Sequence, residues 1–172
     1  MEKKTTEKPI KVIAFGDVHG HTHNLLALVP QMEGSDSVIF LGDGVSTLEV
    51  LPKSINKKLY AVRGNTDFFC RLPDELLLEI GGARIFIAHG HTYDVKKVGP
   101  EEIAEAAFEL GANLCLYGHT HKYEKKIKKG IKVINVPPLG TSRTKEGGSY
   151  LEVTITKQEI VTVVKKVGEG KK

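Results

Sequence analysis

The chain of 172 residues has a mass of 18.9 kDa, and its residues are 40% hydrophobic, 27% charged and 6% aromatic. This composition excludes collagen-like, low-complexity and disordered chains, and it predicts one globular domain over residues 1–172 with a core at about 10–164. Lysine and arginine total 25 against 21 acidic residues, so the formal net charge of +4 is too small to indicate nucleic-acid binding.

The first residues are charged and lack the apolar stretch of a secretory signal. No apolar run approaches the ~18–20 residues that span a bilayer, so we expect no membrane association and a cytoplasmic location. Cys70 and Cys115 are too few for a disulfide framework, and both are expected to be structural.

Short runs rich in β-branched and aromatic residues predict buried strands along the first two thirds of the chain. They fall at residues 10–15, 38–41, 59–62, 76–80, 84–88 and 114–117. Helical spacing occurs at 22–32, more weakly at 45–55, and most clearly at 100–110, where Pro100 suits a first turn and Gly111 a helix end. This alternation predicts βαβ units and a largely parallel sheet.

From about residue 123 onward the pattern changes to strand after strand, at 132–136, 150–155 and 159–164. With no helix between them, these strands predict a mixed or antiparallel second sheet packed on the first. The lysines between residues 122 and 132 are interpreted as the solvated face of a hairpin rather than as a phosphate-attracting patch.

Five of the predicted strands are followed by residue types that bind metal ions. The residues concerned are Asp17, His19, Asp43, Asn65, Asp67, His89, His119 and His121. In an open parallel sheet, ligands bind at the carboxyl ends of the strands, so these side chains are expected to meet. One such residue alone would more often be a turn former, but five strand ends together favour a site.

Three further histidines, His21, His23 and His91, are expected to be loop residues or neighbours of the site rather than ligands. Asp67 is expected to orient a neighbouring group instead of binding a metal itself. The remaining seven candidate ligands exceed the needs of one ion, which predicts two ions sharing one carboxylate. Oxygen and imidazole donors without thiolate suit Mn²⁺, Fe, Ni²⁺, Co²⁺ or Zn²⁺ and argue against a Ca²⁺ cage.

Two ions ~3.5–4 Å apart can clamp the attacking and leaving oxygens at phosphorus and lower the pKa of a bridging water. The pattern therefore predicts hydrolysis of a small phosphate ester by attack of a metal-bridging hydroxide. The rival interpretation is a protein-interaction scaffold that has lost activity, and a nuclease is a third, disfavoured by the weak net charge.

Five motifs carry a family resemblance: 17–20 (Asp-Val-His-Gly), 42–43 (Gly-Asp), 64–67 (Gly-Asn-Thr-Asp), 89–91 (His-Gly-His) and 118–121 (Gly-His-Thr-His). In order and spacing they resemble the calcineurin-like metallophosphoesterases, and more narrowly the small YfcE-type phosphodiesterases related to the retromer subunit Vps29.

The resemblance implies an α/β fold of two mixed sheets packed as a sandwich flanked by helices. It implies a first metal ion at Asp17, His19 and His121, a second at Asn65, His89 and His119, and Asp43 as the bridge. It also implies that Asp43, Asn65 and His89 are catalytic, that Mn²⁺ is the favoured ion, and that a homo-oligomer is compatible with the family.

The chain departs from the family at two places. Thr66 replaces a histidine that many phosphatases of the superfamily use toward the leaving group, which favours phosphodiesters with good leaving groups. The segment 135–140 replaces a usual Asn-Pro-Gly-Ser turn and is expected to alter the rim of the site. Phe68 and Phe69 are interpreted as core, pocket-wall or interface residues, and Arg63 and Arg143 as candidate phosphate partners.

Overall fold

Strands dominate the computed structural model, which describes residues 8–140 and 148–168. The described strands are β1 Ile10–Phe15, β2 Ser37–Phe40, β3 Leu59–Ala61, β4 Glu75–Ile80, β5 Ala83–Ala88, β6 Leu114–Tyr117, β7 Glu124–Lys128, β8 Ile131–Asn135, β9 Ser149–Ile155 and β10 Ile160–Lys166. The α-helices are α1 Thr22–Glu33, α2 Lys53–Asn56, α3 Val95–Val98 and α4 Glu101–Glu109. Every strand predicted from the sequence is present within two residues of its expected ends.

The strands form two five-stranded mixed sheets, with the orders β10-β9-β1-β2-β3 and β4-β5-β6-β8-β7. Each sheet contains three neighbouring parallel strands, which are β1, β2 and β3 at one side of the first sheet and β5, β6 and β8 at the centre of the second. The other strands pair antiparallel with a neighbour. The predicted fold class is therefore confirmed.

The expected division of the strands between the sheets was wrong. The late strands do not form a sheet of their own, because β9 pairs with the free edge of β1 and β8 pairs with β6. Consequently the strand ends that carry the candidate ligands come from both sheets, three from the first and two from the second.

The main core lies between the two sheets, where side chains such as Val12, Ile39, Ile85 and Leu116 are fully buried. A second apolar cluster packs α1 against the outer face of the first sheet, and a third packs α4 against the outer face of the second. Burial of apolar side chains is the main contribution to the stability of a fold. The three clusters therefore hold the strand ends in fixed positions.

The predicted helix at 45–55 divides into a 3₁₀ helix, Val45–Val50, and the short α2. Pro52 stands between them at the N-cap of α2, where its missing N–H prevents a continuous helix. The helix expected at 100–110 is α4, with Pro100 at the N-cap and Gly111 in a left-handed conformation just after the helix end.

None of the helices in residues 8–140 and 148–168 has both the length and the apolar character needed to span a bilayer. Cys70 and Cys115 are free thiols, and Cys115 is buried. The lysine-rich segment forms the predicted β7–β8 hairpin, along which Lys126, Lys128 and Lys129 pair with glutamates.

Candidate metal centre

The seven candidate ligands converge at one end of the sandwich, where the parallel strands of both sheets end. Two groups have ligand atoms lying within 4.8 Å of one another: Asp17, His19 and His121, and Asp43, His89 and His119. Asn65 joins the second group, because its Oδ1 lies 3.2 Å from His89 Nε2. The structure thus brings together all seven residues that the sequence singled out.

In the first group, two imidazoles face one buried carboxylate. The Nε2 atoms of His19 and His121 are 3.0 Å apart. Asp17 Oδ1 lies 3.7 Å from the first and 3.3 Å from the second. Asp17 Oδ2 accepts a hydrogen bond from the His119 N–H at 3.0 Å, whereas Oδ1 is buried without a hydrogen-bond partner among the described residues.

In the second group, Asp43 Oδ2 is 3.4 Å from His89 Nε2 and 3.8 Å from His19 Nε2. Asp43 therefore lies between the two groups. His89 Nδ1 donates to the Leu41 carbonyl at 2.7 Å, which leaves Nε2 as the ring nitrogen that faces the cluster. His119 Nδ1 approaches the same Nε2 to 3.2 Å.

Strained backbone turns present most of these side chains. Five candidate ligands have left-handed φ angles, which are 49° at Asp17, 45° at His19, 61° at Asp43, 71° at His119 and 60° at His121. Such a conformation costs roughly 1–2 kcal/mol for a residue other than glycine and concentrates at functional sites. Hydrogen bonds between the turns oppose this cost, since Asp17 N–H donates to Gly42 O at 2.9 Å and Val18 N–H to Asp43 O at 2.8 Å.

Asp67 holds the turn that carries Asp43. Its Oδ2 accepts the N–H groups of Asp43 at 2.7 Å and Gly64 at 2.8 Å. Its Oδ1 accepts those of Gly44 at 2.8 Å and Val45 at 2.9 Å. The prediction that Asp67 orients a neighbour is therefore confirmed.

Two glycines allow the carboxylates to approach the backbone closely. A Cβ atom at Gly64 would lie 2.0 Å from Asp43 Oδ1, and one at Gly118 would lie 2.8 Å from Asp17 Oδ2. Neither carboxylate could keep its place beside a larger residue.

The carboxylates of the cluster are strongly acidic. Burial alone would raise the pKa of Asp17, but the facing imidazoles of His121 and His19 outweigh burial and lower the pKa to about 2. Burial is likewise outweighed at Asp43, whose pKa lies well below its usual range because of His89 and the Thr66 N–H. Both side chains are therefore anionic at neutral pH.

The imidazoles of the cluster divide into two kinds. The facing carboxylate of Asp17 raises the pKa of His19, while at His89 the carboxylates of Asp43 and Asp17 overcome the opposing effect of burial and raise the pKa. Burial, helped by the charges of His89 and Lys96, instead lowers the pKa of His119 to about 4.

The donor set fits divalent cations. Two anionic carboxylates, four imidazoles and an amide oxygen crowd together with no lysine or arginine side chain among them. The unpaired buried Oδ1 of Asp17 points to the same conclusion, because such an atom costs free energy unless a partner satisfies it.

The other histidines lie where the sequence suggested. The His91 ring lies beside the cluster, with its centroid 5.3 Å from that of His89. Its Nδ1 is buried without a partner among the described residues. His21 precedes α1 as its N-cap residue, and His23 is exposed on that helix.

Several secondary expectations need correction. Phe68 and Phe69 are not core residues, since they are 75% and 106% exposed. Arg63 Nε is paired with Asp74 Oδ1 at 2.8 Å, which makes it a poor phosphate partner, and Arg143 lies outside the described residues. The charge of Lys96 helps to lower the pKa of His119. The sequence did not point to Lys96, because an exposed lysine in a short helix is an ordinary surface residue.

The segment 135–140 packs against the turn of the first ligand. Leu139 N–H donates to Gly16 O at 2.9 Å and Gly140 N–H to Asp17 O at 3.0 Å. Asn24 Nδ2 also donates to Leu139 O at 2.8 Å. The segment therefore contacts the rim of the candidate site directly, through backbone hydrogen bonds to the turn at Asp17.

Comparison with known proteins identifies the family. A family model for the calcineurin-like phosphoesterase superfamily domain matches residues 10–158. The chain belongs to this superfamily. The probable metallophosphoesterase YsnB of Bacillus subtilis (strain 168) is 31% identical over 148 residues, which cover 85% of this chain and 85% of that protein.

Solved structures share the fold of this phosphoesterase domain. A conserved, predicted phosphoesterase from Streptococcus pneumoniae TIGR4 superposes with a TM-score of 0.77 at 25% identity over 95% of both chains. Vacuolar Protein Sorting 29 from Cryptosporidium parvum superposes with a TM-score of 0.72 at 19% identity, over 96% of this chain and 95% of that one. This second likeness concerns the fold alone.

Proposed function

We propose that the protein is a dinuclear metal-dependent phosphodiesterase acting on small phosphate esters. The observation that carries the proposal is the position of Asp43 between two groups of ligand atoms, within 3.8 Å of an imidazole in each. A shared carboxylate at this place is what a pair of ions requires. The superfamily membership supports a metal-dependent hydrolase.

In this proposal Asp17, His19 and His121 hold one ion, Asn65, His89 and His119 hold the second, and Asp43 contacts both. When bound, two divalent cations supply a hydroxide near neutral pH and neutralise charge that grows on the phosphoryl oxygens. We expect Mn²⁺ to be the most effective ion, with Ni²⁺, Co²⁺, Fe or Zn²⁺ as alternatives, because these suit imidazole and carboxylate ligands together.

The side chains of the protein prepare the site before substrate arrives. Asp17 and Asp43 remain anionic, and Asp67 fixes the backbone of Asp43. His89 keeps its Nε2 toward the cluster through the hydrogen bond to Leu41. Because these groups are already in position, the site does not have to rearrange during the reaction. Such preorganised charges and dipoles are the usual source of electrostatic catalysis.

Thr66 favours diesters with good leaving groups. Its N–H donates to Asp43 Oδ1 at 2.9 Å, and its exposed side chain stands at the mouth of the site. A threonine hydroxyl cannot protonate a leaving group near neutral pH. We therefore expect turnover to depend steeply on the acidity of the departing alcohol.

The test is hydrolysis of bis-p-nitrophenyl phosphate and of the corresponding monoester by metal-stripped protein, with each ion restored in turn. Turnover of the diester that requires metal and exceeds turnover of the monoester is the expected result. Absence of turnover while two ions are bound per chain would contradict the proposal.

A scaffold that recruits protein partners is the second candidate. Its specific support is the pair Phe68 and Phe69, which are exposed immediately after the Asn65 motif. Under this alternative, Phe68→Ser and Phe69→Ser would abolish partner binding, and the metal-loaded protein would not hydrolyse either ester.

A further inference from the structure

A cleft of about 520 Å³ adjoins the metal centre on the side of the second sheet. Its walls include Val95 and Lys96 of α3, Tyr117 at the end of β6, Thr120 and Lys122 of the following loop, and Asn135 at the end of β8. Thr120 lies between the ligands His119 and His121, so the cleft and the metal centre share this loop.

A second contact joins the cleft to the other ligand loop. Gly90 follows His89, and a Cβ atom there would lie 3.0 Å from Val95 Cγ2 and 3.2 Å from Tyr117 Cδ2. Two walls of the cleft therefore pack directly on the residue beside a ligand. The loop that carries His89 and the loop that carries His119 therefore both border the cleft.

The cleft carries positive charge that the protein does not use. Lys96 and Lys122 are exposed and line it, and neither forms an ion pair within residues 8–140 and 148–168. By contrast, the lysines at 126, 128 and 129 on the adjacent hairpin each pair with a glutamate. Glu124, the acidic residue of the lining, is neutralised by Lys126 at 2.9 Å.

Asn135 adds a buried carbonyl oxygen that lacks a hydrogen-bond partner among the described residues. Its side chain is 2% exposed, its Nδ2 contacts Thr120 Oγ1, and its Oδ1 has no hydrogen bond among the described residues. Asn135 is opposite Tyr117 in the parallel pair β6 and β8, at the same sheet end as the metal ligands. The carboxyl end of a parallel strand is where ligands bind in such sheets.

We propose that this cleft binds a second anionic group of the substrate, so that the preferred phosphate esters carry another phosphate or carboxylate beside the one that is cleaved. The inference rests on the proposed function, since it assumes that the scissile phosphate occupies the metal centre. Lys96 and Lys122 supply the charge, and the free Oδ1 of Asn135 can accept a hydrogen bond from an N–H or O–H group of the substrate beside the anion.

Two chromogenic diesters form a matched test with the same leaving group. One is thymidine 5′-(p-nitrophenyl phosphate), and the other is the same ester with an added 3′-phosphate. For the Mn²⁺-loaded protein we expect the added phosphate to lower KM by about three- to tenfold and to leave kcat nearly unchanged. A gain in affinity of this size is what partly exposed ion pairs contribute. Equal KM values for the two esters would overturn the proposal.

Variants locate the effect. Lys96→Gln with Lys122→Gln should remove the preference for the added phosphate, so that the two esters have the same KM in this double variant. Lys125→Gln is the matched control, because Lys125 is an exposed lysine of the same hairpin that does not line the cleft. A preference that survives the double variant would overturn the proposal.

Equilibrium binding separates this inference from the proposed function. If neither ester is hydrolysed, the proposed function fails, but calorimetry with thymidine 3′,5′-bisphosphate and thymidine 5′-monophosphate still tests the cleft. The bisphosphate should bind the Mn²⁺-loaded protein about three- to tenfold more tightly, and the double variant should lose that advantage. Equal affinities in the parent protein would refute the second anion site.

Discussion

The two groups of candidate ligands each contain a carboxylate and two imidazoles, and the second also includes Asn65, but the groups differ in how far their imidazoles are exposed to water. In the first group the side chains of His19 and His121 are 32% and 40% exposed around the buried Asp17. In the second group His89 is fully buried and Asp43 is nearly so. Because charges interact more strongly where water is excluded, we expect the second group to bind its ion more tightly and exchange it more slowly.

The difference in exposure follows from the way in which neighbouring backbone covers and anchors each candidate ligand. Asp17 and Asp43 both follow central strands and are covered by neighbouring turns. His89 is anchored inward by the carbonyl of Leu41, whereas the described structure gives His121 no comparable anchor. Complete burial of one imidazole, that of His89, is what most distinguishes the second group from the first.

Replacing the shared carboxylate should have the largest effect. Asp43→Ala should prevent stable binding of both ions and lower diester hydrolysis by at least about a thousandfold, because both groups lose their common anion. Metal content by mass spectrometry and initial rates measure these effects. His23→Ala, an exposed residue outside the cluster, is the control and should change neither quantity. Full activity of Asp43→Ala would show that the bridging role is wrong.

A pair of histidine variants sharpens the contrast between the groups. His89→Ala should lose the second ion and destabilise the metal-free protein by about 2 kcal/mol, since it leaves a cavity and an unpaired Leu41 carbonyl. His121→Ala should lose the first ion, keep the second and leave the unfolding free energy within about 0.5 kcal/mol. Thermal unfolding and metal counting report both effects, and equal destabilisation by the two variants would contradict the contrast.

The support beneath the second group can be weakened without touching a ligand. In Asp67→Asn one terminal oxygen becomes an NH₂ that opposes two backbone N–H donors, so we expect a loss of about 1–3 kcal/mol and weaker metal binding. Asp36→Asn is the matched control, because exposed Asp36 accepts one backbone N–H, from Lys11 at 2.8 Å, and its amide oxygen can still do so. Similar losses in chemical denaturation for both variants would argue against the anchoring role of Asp67.

The smallest expected effect is the release of protons from the imidazoles when metal binds. The raised pKa values of His19 and His89 mean that both imidazoles hold protons in the metal-free protein near pH 6.5, whereas His119, with a pKa of about 4, holds none. Metal binding requires neutral imidazole, so it should release protons, and affinity should fall as the pH decreases through the raised values. Calorimetry in buffers of different ionisation enthalpy measures the release. An affinity independent of pH between 6 and 8 would refute this coupling.

Local sequence patterns were sufficient to locate the site and most elements. A short apolar run, then glycine, then Asp or His marks Asp17, Asp43 and His119, because buried strands and their sharp exits have a strong local signature. The ligand assignments inferred from this pattern stay predictions, although the structure gathers the residues as the pattern requires.

Long-range pairing had no such signature. The pairing of β9 with β1 and of β8 with β6 depends on contacts between distant segments, so the division of strands between the sheets was predicted wrongly. The prediction that Phe68 and Phe69 could be core residues was wrong for a related reason. Hydrophobicity alone does not show whether a loop turns its side chains toward the core or away from it. The cleft beside Lys96 likewise arises only when α3 packs beside the ends of β6 and β8.

The most direct test of the proposed dinuclear centre is a crystal structure of the Mn²⁺-loaded protein with anomalous diffraction at the manganese edge. The account predicts two anomalous peaks ~3.5–4 Å apart, with Asp43 in contact with both and His121 and His89 on opposite ions. A single peak, or peaks away from these residues, would contradict the two-ion site.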